Sequence, residues 1–113
     1  MSDGPQGIGT KGKSTAYPAT VTLAATWNEN LAYQYGKALG RDCRARNINV
    51  ILGPAVNIYR APMCGRNFEY MGEDPYLTSR ICVGYIKGVQ DQGVMATPTM
   101  TVIISVMILM KEP

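Results

Sequence analysis

Asn49-Val50-Ile51-Leu52-Gly53-Pro54 is the stretch on which the fold turns. The run at 49–52 is apolar without alternation and is closed by Gly-Pro, the pattern of a short strand buried on both faces, as in a parallel sheet. Helical patterns flank it. On the N-terminal side, Leu31, Tyr35, Ala38, Leu39 and Cys43 recur at spacings of three and four. They predict an amphipathic helix that Asn28 caps, that continues to Arg46, and that residues 47–49 break. On the C-terminal side, a long loop at 55–72 leads to Asp74-Pro75, a helix start with Asp at the cap and Pro in the first helical position. Leu77, Ile81, Tyr85 and Val89 follow at intervals of four, and Gly93 stops the helix before a further strand at 94–97. Residues 17–25, with Val21 and Leu23, are expected to form the first strand, and residues 2–14, rich in Gly, Lys and Ser, an exposed loop. The order strand, helix, strand, loop, helix, strand is that of parallel βαβ units.

A chain of 113 residues, 46% hydrophobic and 17% charged, supports one small globular domain. The formal charge of +3 comes from scattered basic residues. Lys37, Arg41, Arg44 and Arg46 cluster, but no aromatic ladder accompanies them, and they read as a solvated helix face running into a basic last turn. No nucleic-acid partner is expected. Cys43, Cys64 and Cys82 are odd in number and widely spaced, so they form neither a CxxC redox pair nor a zinc set. Reduced, partly buried thiols are expected, with no metal and no other cofactor. The first residues lack the charged and apolar regions of a secretory signal, which leaves the compartment open.

Five blocks in register carry a more specific signal. They are Asp3-Gly4-Pro5-Gln6-Gly7-Ile8, Ala24-Ala25-Thr26-Trp27, Leu52-Gly53-Pro54-Ala55-Val56-Asn57-Ile58, Arg60-Ala61-Pro62-Met63-Cys64-Gly65-Arg66-Asn67-Phe68-Glu69 and Glu73-Asp74-Pro75-Tyr76. Their order and spacing over residues 1–97 resemble the N-terminal catalytic barrel domain of glycoside hydrolase family 3, the β-glucosidase-like enzymes. The resemblance implies an α/β fold, a fragment of a (β/α)₈ TIM barrel of about three βα units, because a complete barrel takes roughly 250 residues. It implies a small-molecule glycoside or oligosaccharide as partner. It also implies that Asp3 and Arg66 face the sugar, a carboxylate accepting hydroxyl hydrogen bonds and a guanidinium donating several in a fixed fork. Arg60, Glu69 and Glu73 are expected to pair with loop neighbours, Arg60 or Arg66 bridging Glu69 or Glu73. Trp27 is expected to pack beside the helix cap, and Met63 and Cys64 to line the underside of the loop.

No catalytic residue is assigned. Retaining glycosidases need two carboxyl groups about 5–5.5 Å apart, a nucleophile and an acid/base, and the resemblance puts both beyond the family-like residues. The family follows the strand matching 94–97 with a Lys-His pair, where this chain has Pro98-Thr99 and no histidine anywhere. Residues 98–113 form an apolar tail, Val102-Ile103-Ile104-Ser105-Val106-Met107-Ile108-Leu109-Met110 at its centre. The run is shorter than the ~20 residues of a membrane-spanning helix, so no membrane span is expected, while self-association through the tail is. Read one base earlier with suitable codons, Thr101 to Pro113 encode Arg-Asn-His-Ile-Ser-Asp-Asp-Ile-Asp-Glu-Arg-Thr. That string resembles the family's own continuation, so the tail is expected to be a frame-shifted translation. Three functions stand at this point: a β-glucosidase fragment inactive by itself, a non-catalytic carbohydrate-binding remnant, or a small membrane-associated protein acting through its tail.

Overall fold

The computed structural model of the chain describes residues 1–9 and 12–99. In chain order the elements are β1 (Ser2–Asp3), α1 (Thr20–Ala24), α2 (Glu29–Ala45), β2 (Val50–Ala55), a 3₁₀ turn (Asn67–Glu69), α3 (Pro75–Gln90) and β3 (Met95–Thr99). The apolar tail lies, from residue 100 onward, outside the described residues.

The two long helices form where local chemistry demands them. The Asn28 side chain accepts the Leu31 N–H at 3.0 Å, and the Asp74 side chain accepts the Tyr76 N–H at 2.9 Å with Pro75 behind it, so both first turns have a donor satisfied. Each helix buries one face. Ala32, Tyr35, Leu39 and Cys43 of α2 share a core with Ile81, Cys82, Tyr85, Ile86 and Val89 of α3. Gly36 on α2 and Gly84 and Gly88 on α3 bring the backbones together: a Cβ on Gly84 would sit 2.7 Å from the Glu29 carbonyl oxygen, and one on Gly36 would strike the Tyr85 carbonyl. Arg80 closes the N-terminal ends of the pair with two hydrogen bonds to the Glu29 carboxylate, 2.8 and 2.9 Å.

The sheet is parallel, with strands in the order β1-β2-β3. Ser2, Ile51 and Ala96 are in register, as are Asp3, Leu52 and Thr97. Because successive side chains on a strand point to opposite faces, these two rows belong to opposite sides of the sheet. The first row faces the helices: Ser2 and Ile51 are buried, and Ala96 packs on the core. The second row faces away. Asp3 and Thr97 are exposed, Leu52 is half-buried, and Met95, opposite Val50, is 62% exposed.

Three expectations are corrected here. Residues 17–25 are not a strand, because Thr20, Leu23 and Ala24, spaced i, i+3, i+4, are buried together as one short helical face. The third strand comes instead from residues 2–3, inside the expected exposed loop. Gly4 permits that pairing: its N–H donates to the Leu52 carbonyl at 3.1 Å, and a Cβ there would lie 2.5 Å from Ile51 Cγ1. Ser2, Gly4, Gly7 and Ile8 are buried as a result. Finally, Gly53-Pro54 does not end the central strand, which runs on to Ala55 through a register shift at Leu52/Gly53. Among the described residues no helix is long and apolar enough to cross a membrane.

Candidate functional site

Asp3 is the last residue of β1 and Thr99 the last of β3, so both stand at the carboxyl end of the sheet. The loop that leaves β2 folds over the same end and carries the 3₁₀ turn. Together these pieces line an open cleft of about 540 Å³ whose walls are Asp3, Pro5, Leu52, Arg66, Glu69, Tyr70 and Thr99. Asp3 and Arg66, far apart in sequence, therefore share one wall-to-wall space. The carboxyl ends of parallel strands are where loops diverge and leave room for a ligand.

Arg66 is held rather than loose. Its Nε and Nη2 both donate to Glu69 Oε2, at 3.1 and 2.6 Å, across one 3₁₀ turn. The Arg66 side chain is 66% exposed, that of Glu69 only 12%. Its hydrogen bonds to Glu69, with the carboxylate's negative charge behind them, keep the Arg66 guanidinium more firmly protonated than a free arginine. The Nη1 edge of the fork has no partner among the described residues. No hydrogen bond or ion pair occupies the Asp3 carboxylate among those residues either. A free carboxylate and a half-free, rigid guanidinium face one cleft, an arrangement that accepts and donates hydrogen bonds to a polyhydroxylated molecule.

The loop's pairing is narrower than its charges suggest. Glu69 takes Arg66, while Arg60 and Glu73 are exposed and form no ion pair among the described residues. Met63, 92% exposed, and Cys64, also exposed, do not line the underside; Tyr70 and Met71 are buried there instead. Trp27 does not pack. It is 70% exposed and has φ 53°, because the chain turns through the left-handed region between α1 and α2. Tyr70 and Thr99 are cleft residues without a local sequence signal, since only the return of the loop onto the strand ends brings them there. On the helix side of the sheet, Tyr17 meets Tyr35 edge-on and Tyr35 meets Tyr85 at a tilt, with 5.2 and 5.5 Å between ring centres. Burial raises all three phenols, Tyr35 to about 12, and the Cys82 thiol likewise to about 12. These groups stay neutral core, not proton-transfer machinery.

Sheet, helices and cleft define a parallel α/β protein with its polar cleft at the carboxyl ends of the strands. Within that class the chain belongs to glycosyl hydrolase family 3: residues 1–99 match the Glycosyl hydrolase family 3 N terminal domain. It is 53% identical over 109 residues to the β-glucosidase BoGH3A of Bacteroides ovatus, covering 85% of this chain and 15% of that one. Among solved structures it is similar to β-glucosidase 3B from Thermotoga neapolitana in complex with α-D-glucose, with TM-score 0.80, 42% identity, and coverage of 88% and 15%. The β-glucosidase DesR from Streptomyces venezuelae, in complex with D-glucose, gives TM-score 0.83, 45% identity, and coverage of 88% and 13%. The chain thus spans about a seventh of the first of these relatives, and its family is one of hydrolases.

Proposed function

We propose that residues 1–97 are an arc of the catalytic barrel of a β-glucosidase-type glycoside hydrolase, and that they retain part of the subsite that holds a terminal sugar unit. The observation that carries the reading is the convergence of Asp3 and Arg66 on one cleft at the carboxyl ends of the strands. The barrel reading draws on the strand order β1-β2-β3, which advances one neighbour at a time with helices packed on one face, the winding of a sheet that closes on itself. The relatives crystallised with glucose favour a hexose as ligand.

By themselves these residues bind without hydrolysing. Hydrolysis with retention takes a nucleophile and an acid/base about 5–5.5 Å apart. Among the described residues the cleft's carboxylates are Asp3 and Glu69, and Glu69 has one oxygen committed to two N–H groups of Arg66. At the end of β3, Thr99 offers a hydroxyl where the family's Lys-His pair is implied, which removes charge from the subsite and weakens it. Titration of D-glucose, followed by the amide and guanidinium signals of Asp3 and Arg66, tests the binding half. Millimolar binding that Asp3→Asn or Arg66→Ala abolishes is the expected result. The same chain is expected to leave a chromogenic β-glucoside intact; turnover that disappears in Asp3→Asn belongs to this chain and refutes the inactive reading.

A further inference from the structure

We propose that Thr20 is a positioning residue for the cleft: its hydroxyl, donated to the Glu69 carbonyl oxygen, fixes the 3₁₀ turn against α1 and with it the Arg66–Glu69 pair. The consequence for sugar binding rests on the reading of the cleft given above; the tether itself does not.

Thr20 is fully buried at the first position of α1, yet its hydroxyl does not cap its own helix, and Ala19 before it supplies no side-chain cap. The hydroxyl leaves the helix for a carbonyl that is far off in sequence. At that carbonyl it meets a turn otherwise held by bonds of its own loop: Asn67 N–H to Cys64 O at 3.2 Å, Glu69 N–H to Arg66 O at 3.0 Å, Tyr70 N–H to Asn67 O at 3.2 Å, and Asn67 Nδ2 to Ala61 O at 3.4 Å. Such bonds give the turn its shape but not its place over the strand ends. The Thr20 bond sets the place. Carbonyl and carboxylate belong to the same residue, Glu69, so anchoring one in a rigid turn aims the other. One Glu69 oxygen then takes two N–H groups of Arg66, which fixes the plane of the guanidinium. A contact group held this way loses less freedom when a ligand arrives.

The test is hydrogen exchange at the Arg66 Nε–H in the ¹⁵N-labelled full chain, with the exposed Arg44 as internal reference. Arg66 is expected to exchange about tenfold more slowly than Arg44. Thr20→Val, which keeps the shape and removes the donor, is expected to lower that protection at least about fivefold while the amides of the α2–α3 core keep theirs. Thr20→Ser is expected to restore it to within about twofold. Protection in Thr20→Val within about twofold of the parent overturns the proposal, as does an equal loss at the core amides. If Thr20→Val does not fold, the parent decides. A Thr20 hydroxyl proton that persists longer than that of exposed Thr22 supports the tether, and one that exchanges as fast overturns it. Adding D-glucose separates the two readings: an Arg66 signal that depends on Thr20 but ignores glucose leaves the tether standing and removes the sugar subsite.

Discussion

Gly88→Ala should be among the most damaging single-methyl additions in this chain. On a helix surface the change favours folding by about 1 kcal/mol, because alanine is the better helix former. Here the added Cβ would strike the Tyr33 carbonyl oxygen and lie 2.7 Å from the Lys37 nitrogen and 3.0 Å from the Gly36 carbonyl carbon. All three are backbone atoms of α2, so no side chain can swing aside. Ordinary contact requires α3 to retreat by roughly 1 Å, which loosens the core shared by Leu39, Ile81 and Tyr85. Overpacking of this kind costs about 3 kcal/mol or more when only backbone can yield, leaving a net loss of about 2 kcal/mol after the propensity gain. For a domain of this size that is a fall of about 10–15 °C in the melting midpoint, read by far-ultraviolet circular dichroism. Gly65→Ala is the control, since nothing lies within 4 Å of its added methyl. It is expected to stay within about 0.5 kcal/mol of the parent. A Gly88→Ala chain that melts with or above the parent refutes the claim that glycine sets the helix spacing.

Three further outcomes follow from the same packing. Tyr35 and Cys82 have folded pKa values raised to about 12 by burial, and Tyr85 is raised too. Their neutral forms favour the folded state fully below the unfolded values, near 9 for the thiol and 10 for the phenols, and that stability drains as pH climbs toward 12. Stability should fall steadily from pH 9 to 11, approaching about 1.4 kcal/mol per pH unit for each group ionised only in the unfolded chain, and the melting midpoint should fall with it; a flat profile would contradict their burial. Cys64 is exposed while Cys43 and Cys82 are buried, so a thiol reagent should modify one cysteine promptly in the native chain and all three after denaturation. Fast modification of two native thiols counts against the α2–α3 core. Last, Met95, 62% exposed, stands on the face of the sheet that no described helix covers, beside Val50 and Leu52. Met95→Glu should reduce self-association in light scattering without lowering the melting midpoint, and unchanged association would place the contact elsewhere.

Much of the molecule was legible before any fold was in hand, and its parts share a trait. Asn28 before Leu31 and Asp74 before Pro75 mark helix starts within four residues, and the faces of α2 and α3 repeat over the same distance. The run at β2 is continuous and apolar, yet the expected burial on both faces holds only for the helix side: Ile51 is buried, whereas Val50 and Leu52 on the other face are half-buried. The five family-like blocks rest on residue identity alone, and they contain both Asp3 and Arg66, which line the cleft. The misreadings lie where the outcome depends on a distant partner. Nothing in Ser2-Asp3 favours a strand; it becomes one because Gly4 lets the chain approach Ile51 and pair with β2. Residues 17–25 carry three β-branched positions suited to a strand, Thr20, Val21 and Thr22, but their burial against the loop and the long helices selects the helical face Thr20, Leu23, Ala24. The same holds at the cleft. The charges of Arg66 and Glu69 are plain in the sequence, but their pairing, the exclusion of Arg60 and Glu73, the arrival of Tyr70 and Thr99, and the hydroxyl of Thr20 under Glu69 are products of tertiary structure. Periodicity and capping act across one helical turn, whereas a site assembled from two strand ends and a returning loop depends on contacts the chain meets only after it has folded.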